Sequence, residues 1–341
     1  MNTQALAEIA RAMVAPKKGI LAADESSGTA NKRLASIGVE QTDENRRLYR
    51  ELFLSADGME ESLSGVILYD ETVHQNANSG TSFVELLKQK GVLPGIKVDA
   101  GAQDMAGFPG EKITEGLDGL RERLTNYYRL GCRFAKWRAV ITIGDNLPTE
   151  TCIHSNAHAL ARYAALCQEA GIVPMVEPEV MIDGPHTLEK SEEVTTATLK
   201  ALFAELAAQR VSMQGLILKS SMVISGKECP TQASPEQVAE ATLRCFKNSL
   251  PAELGGIVFL SGGQEAVQAT RNLDAINKLA QSRGDIPWQL TFSYARALQG
   301  PALDVWKGDE ANMPAAREVF LKRLKCNSAA REGQYGPELE A

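Results

Sequence analysis

The chain has 341 residues, 44% hydrophobic and 23% charged, with a net charge of -7 at neutral pH. That is ordinary composition for a globular protein with a sizeable core, and its acidity excludes a general attraction to nucleic acid or to an anionic membrane, so any anion site must be local. Cys132, Cys152, Cys167, Cys229, Cys245 and Cys326 form no CxxC pair and read as free thiols, while MNTQALAEIARAMVAPKKG, with Glu8 inside its apolar stretch, is neither a secretory signal nor a spanning helix, so a cytoplasmic protein without membrane partners is expected.

After an N-terminal helix, eight β-like runs follow in chain order: GILAAD (19–24), GVILYD (65–70), LPGIKVD (93–99), RFAKWRAV (133–140), IVPMVEPE (172–179), GLILKS (215–220), GIVFLSGG (256–263) and WQLTFSY (288–294). The segments between them have helical patterning. LDGLRERLTNYYRLG sets Leu117, Leu120, Leu124 and Tyr128 at helical spacing and stops at Gly131, and SPEQVAEATLRCFKNSL opens on a Ser-Pro start signal. Strand, helix, strand repeated eight times predicts parallel pairing with right-handed crossovers and closure into a (β/α)8 TIM barrel, one domain over 1–341, with a polar tail from about residue 327. The rival, an open doubly wound sheet, lacks its fingerprint, because ADESSGTANKR is not GxGxxG.

Residues two apart on a strand share a face. The rule pairs Asp24 with Ser26, Lys97 with Asp99, Lys136 with Arg138 and Glu177 with Glu179, and it adds Lys219, Ser261 and Ser293 at the ends of the last three strands. Any one of these could be a surface residue at a strand-to-loop junction. As a set they are most simply housed in one polar pocket at the carboxyl ends of the strands, where lysines and carboxylates compensate one another.

A buried Lys219 beside another cation is expected to titrate low, and a neutral amine can add to a ketone and form a Schiff base that breaks an adjacent carbon-carbon bond. Glu177 is the candidate acid/base for imine formation and Glu179 a second; Asp24 could accept the proton of a substrate hydroxyl. In FLSGGQEAV, Ser261 precedes Gly262 and Gly263 and a helix start, and FSYARALQG adds Ser293 and Arg296, a combination that favours a phosphorylated ligand. Of the four histidines, His154 and His158 share a helix face but complete no metal pattern, so no metal is expected, and the tryptophans read as core or pocket lining.

Several stretches, GILAADESSGTANKRL, ENRRLYRELF, GVILYDET, GIKVDAG, FAKWRAV, NAHALARYAALCQEAGIVPMVEPEV, FLSGGQ and LTFSYARALQ, resemble the class I, metal-independent fructose-bisphosphate aldolases over nearly the whole chain. The resemblance implies a (β/α)8 fold, reversible cleavage of fructose 1,6-bisphosphate to dihydroxyacetone phosphate and glyceraldehyde 3-phosphate, no cofactor beyond a covalent imine, and a homotetramer. It implies Lys219 as the imine lysine, Glu177 with Glu179 for carbinolamine dehydration, Asp24 for the C4 hydroxyl and Lys136 near the imine. Ser261, Gly262, Ser293, Arg296 and Arg33 match phosphate or sugar contacts, and Ser26, Thr29, Lys97 and Arg138 fall where the other phosphate is held.

The chain departs from the family pattern around the lysine, where Gln214-Gly215 replaces Glu-Gly and Lys219-Ser220 replaces Lys-Pro. It also reads GQYGPELEA where the better-known animal members carry a terminal tyrosine that helps move the C3 proton, so that step is expected to use another group or to run differently. A non-catalytic sugar-phosphate-binding scaffold on the same barrel is the alternative; retention of Lys219, Glu177 and Asp24 favours the enzyme.

Overall fold

The computed structural model describes residues 2–340. Eight parallel strands close a barrel: β1 (Gly19–Ala23), β2 (Leu63–Leu68), β3 (Leu93–Lys97), β4 (Phe134–Ile141), β5 (Val173–Val180), β6 (Ile217–Ser220), β7 (Gly256–Phe259) and β8 (Leu290–Tyr294), each paired with its neighbours in chain order and β8 with β1. Adjacent register sets Lys97 beside Lys136 and Arg138 beside Glu177.

The period of two then sorts every strand into an outward and an inward column. Outward residues such as Leu21, Ile96, Trp137, Val176 and Leu218 pack under the surrounding helices. Inward residues change character along the barrel axis. At the amino end Ile20, Ile67, Phe134, Val173, Met175, Ile217 and Val258 form an apolar plug with Leu6, Ala10 and Met13 of the N-terminal helix Thr3–Met13. The same columns end in Asp24, Lys136, Glu177 and Lys219.

The crossover helices start and stop where local chemistry dictates. Ser234 and Gln237 form a reciprocal capping box ahead of helix Pro235–Ser249, with Pro235 in its first turn. Helix Leu120–Leu130 ends at Gly131 with φ of 113°, a left-handed cap that glycine adopts without penalty. Within that helix the buried residue of the last turn is Tyr127 and not Tyr128, which is 42% exposed and carries the Arg133 guanidinium over its ring. The i+3 step from Leu124 faces the core here, and the Tyr127 hydroxyl reaches Asp70 Oδ1 at 2.7 Å.

Two further differences from the sequence reading concern elements outside the barrel. After β3 the Gly-rich stretch folds into an antiparallel ribbon, Gly101–Asp104 with Lys112–Glu115, that rises beside the mouth. The tail expected from about residue 327 begins later, because helix Met313–Arg331 runs through Asn327, whose amide bonds both the Arg323 carbonyl and Thr270. Tyr335 beyond it is buried, its backbone N–H donating to Asp274 Oδ1 at 2.9 Å. Trp137, Trp288 and Trp306 are all buried.

Candidate active site

A cavity of about 620 Å³ opens at the carboxyl ends of the strands. Asp24, Ser26, Thr29, Arg33, Lys97, Lys136, Arg138, Glu177, Glu179, Lys219, Ser261, Gly262, Ser293 and Arg296 all line it. Gly263, the remaining residue singled out from sequence, is not part of that wall and follows Gly262 in the same turn.

Charge alternates across the deepest part. Lys136 Nζ lies 2.7 Å from Asp24 Oδ2 and 3.2 Å from Glu177 Oε2, and Lys219 Nζ lies 3.2 Å from Glu177 Oε1. The immediate neighbour of Lys219 is therefore a carboxylate, with the cation Lys136 on the far side of it. Lys219, Glu177 and Lys136 are each no more than 4% exposed, so water screens these charges little.

Burial is the largest influence on Asp24 and favours its neutral form, yet Lys136, Lys219 and Lys97 outweigh it and hold the carboxyl at about 2. Glu177 shows the same contest: burial raises it, and Lys136, Lys219 and Arg138 bring it below the usual range. Lys136, desolvated but facing Asp24 and Glu177, is held well above the ordinary lysine value. Both carboxylates are charged at neutral pH, and Glu177 Oε2 makes no aligned hydrogen bond among the described residues.

The rim is built from separate elements. Lys97 Nζ pairs with Asp99 Oδ1 at 2.6 Å and Arg138 pairs with Glu179. Ser26 does not continue the face of β1; it caps helix Ser27–Ser36, its hydroxyl accepting from Thr29 N, which brings both hydroxyls to the rim. Across the mouth Gly262 and Gly263, with φ of 58° and 87°, are the two central residues of a turn closed by Gln264 N donating to the Ser261 carbonyl at 3.0 Å. Both central positions of such a turn demand the left-handed region, which explains the paired glycines. Ser293 Oγ is buried and has no hydrogen-bond partner among the described residues.

Sequence reasoning missed the residues that hold Arg33. Its guanidinium is paired with Glu25 and donates to Gln299 and, at 2.9 Å, to the Tyr49 hydroxyl; Arg50 Nη1 clamps the other oxygen of Glu25 at 2.5 Å. Glu25 is out of phase with Asp24 on the strand, so a rule based on alternation passes over it. The ribbon wall, Ala100 to Ala102, was likewise invisible, because its short side chains carry no chemical signal. Among the described residues no cluster of three or more His, Cys, Asp or Glu is placed to hold a metal ion; His154 and His158 lie on helix Glu150–Glu169, with His158 facing Glu205. No described helix is long and apolar enough to cross a membrane.

The family profile described as "Glycolytic: Fructose-bisphosphate aldolase class-I" matches residues 5–341. This chain belongs to the class I fructose-bisphosphate aldolases. It is 55% identical to a probable class 1 aldolase of Xanthomonas axonopodis pv. citri over 98% of this chain and 99% of the relative. It is 51% identical to a cytosolic aldolase of Arabidopsis thaliana, over 94% and 88% of the two chains. A solved aldolase from Plasmodium falciparum, described in complex with TRAP and a small-molecule inhibitor, superposes with a TM-score of 0.95 at 44% identity, covering 98% of this chain and 95% of that one.

The two departures beside Lys219 fall in different places. Gln214 sits at the amino end of β6, exposed and outside the mouth. Ser220 ends the strand and turns its hydroxyl onto the Ser221 carbonyl at 2.9 Å, so it is satisfied locally. Tyr335, the tyrosine of GQYGPELEA, lies against the outer helices and its hydroxyl donates to Glu340 at 2.8 Å.

Proposed function

We propose that the protein reversibly cleaves fructose 1,6-bisphosphate to dihydroxyacetone phosphate and glyceraldehyde 3-phosphate through a Schiff base on Lys219. The observation that carries this reading is a buried lysine amine 3.2 Å from a buried carboxylate at the mouth of a barrel. Lys219 gives a proton to Glu177 and the free amine adds to the C2 carbonyl. Glu177 returns that proton to the carbinolamine hydroxyl, which leaves as water, and one proton serves both steps. With the iminium formed, Asp24 accepts the C4 hydroxyl proton, the C3–C4 bond breaks, the aldehyde departs and the electron pair becomes an enamine. Protonation at C3 and hydrolysis of the imine release the ketone.

Lys136 takes the role of keeping Asp24 and Glu177 ionised between turnovers, and Glu179, held by Arg138, stands beside the imine as a second carboxylate. One phosphate is assigned to Ser261, Gly262, Gly263, Ser293 and Arg296 with Arg33, the other to Ser26, Thr29, Lys97 and Arg138. No metal takes part, and the assembly is a cytoplasmic homotetramer.

Borohydride added with dihydroxyacetone phosphate is expected to fix an adduct on the peptide containing Lys219, and cleavage is expected to persist in excess chelator. Lys219→Ala should lose about a thousandfold or more in kcat. An adduct on another lysine, or loss of cleavage on chelation, overturns the reading. Sedimentation of the native protein tests the tetramer.

A further inference from the structure

We propose that Lys227, which lies outside the charged columns, is a further phosphate-binding residue that closes with Arg296 on the phosphate at the Gly262–Gly263 turn. The inference deepens the function proposed above and rests on it.

The lysine is carried by the loop after β6, and that loop is strapped to the loop after β5. Gly226 N donates to the His186 carbonyl at 2.9 Å, Lys227 N to that of Ile182 at 2.8 Å and Glu228 N to that of Gly184 at 3.1 Å. Residue 226 is glycine because a Cβ there would collide with the Gly184 carbonyl. Lys227 therefore projects from a fixed backbone.

Its ammonium Nζ lies 2.9 Å from the point where a side chain on Gly263 would begin, and Arg296 Nη2 lies 3.2 Å from the same point. The two cations are thus no more than about 6 Å apart, a separation at which like charges repel unless an anion lies between them. Asp183 Oδ1, 3.2 Å from Lys227 Nζ, is the one carboxylate paired with Lys227 among the described residues, in an ion pair about half open to solvent. Arg296 makes neither an ion pair nor a hydrogen bond among the described residues, and the N–H groups of Gly262 and Gly263 find no acceptor there.

Buried Ser293 Oγ, unpartnered, lines the active-site cavity together with Gly262 and Arg296, and Lys227 and Gly263 stand beside it without being part of its lining. Two cations, a hydroxyl and two backbone N–H groups without an acceptor match a phosphate dianion. In the free protein Asp183 holds the Lys227 ammonium; on binding, the phosphate takes its place.

Competition between Asp183 and the phosphate gives the test a sign. Lys227→Ala is expected to raise the KM for fructose 1,6-bisphosphate, and the inhibition constant of inorganic phosphate, on the order of tenfold, with most of the loss in KM rather than kcat. Lys227→Arg should recover most of it, and the KM of the native protein should rise with ionic strength more steeply than that of Lys227→Ala. Asp183→Asn should lower KM, and this gain should vanish in the Lys227→Ala background.

The proposal is overturned if Lys227→Ala leaves both constants within about twofold of native, or if Asp183→Asn acts equally with and without Lys227. Arg296→Ala separates the two readings. If it raises KM while Lys227→Ala does not, only the role of Lys227 fails; if neither does, the phosphate assignment at this turn fails as well. Borohydride trapping of each variant reports whether the imine site is intact.

Discussion

Between Asp24 and Lys219 four buried side chains alternate in sign, and each carboxylate is stabilised by the lysines beside it more than it is penalised by burial. Removing one partner strands the other charge in a dry environment, which costs more than the pair itself contributes. For Asp24 the sign with pH is definite. Its folded value of about 2 lies below the ordinary 3.8, so its contribution is complete above roughly pH 4 and fades as the pH falls toward 2. That contribution is on the order of 2 kcal/mol. Asp24→Asn is expected to melt below the native protein at pH 7 and to approach it as the pH is lowered. Thermal unfolding of both between pH 7 and pH 2 checks this, and a gap that stays constant over the range shows that the charge of Asp24 contributes no stability through Lys136.

Strands deliver these residues because their inward columns fit one another as shapes before they act as chemistry. Phe134 fills the lower barrel only because Gly95 on the neighbouring strand has no side chain; a Cβ there would lie 2.3 Å from the nearest carbons of the Phe134 ring. Gly95→Ala is expected to destabilise by about 1 to 3 kcal/mol through overpacking. Adding Phe134→Leu should return part of that loss, and simple additivity in the double variant would show that the two do not compete for space.

The same alternation made most of the site legible. Asp24, Lys136, Glu177 and Lys219 each follow an inward apolar residue by two positions, so counting by two along the strand finds them. Glu25 is out of phase, and Ser26 reaches the rim as a helix cap, so the count gives no reason for the first and the wrong reason for the second. Lys227 left no signal of its own, because its place is set by backbone hydrogen bonds between two loops distant in sequence.

Seen along its axis, the molecule places an apolar plug at one end and its charged side chains at the other. The amino end is sealed by Leu6, Ala10 and Met13 against the lowest inward residues, an apolar plug whose backbone is met by the buried Ser64 hydroxyl, which donates to the Met13 carbonyl. The carboxyl end holds the charges, and among them Arg296 makes no ion pair or hydrogen bond with any described residue that its removal could break. A plug residue and a mouth residue without intramolecular partners should therefore fail in different measurements. Met13→Ala empties a fully buried site and is expected to cost about 2 to 5 kcal/mol, or about 3 to 7 °C in Tm for a chain of this length, with kcat/KM near native. Arg296→Ala should leave Tm within about 1 °C, because it breaks no intramolecular bond, while raising the KM for fructose 1,6-bisphosphate at least tenfold, or about 1.4 kcal/mol of binding. Saturating substrate should then stabilise the native protein against heat more than it stabilises Arg296→Ala, since ligand stabilisation scales with the ratio of concentration to dissociation constant. Equal stabilisation of the two would place the phosphate away from Arg296 and remove the ground for treating the mouth as a phosphate trap.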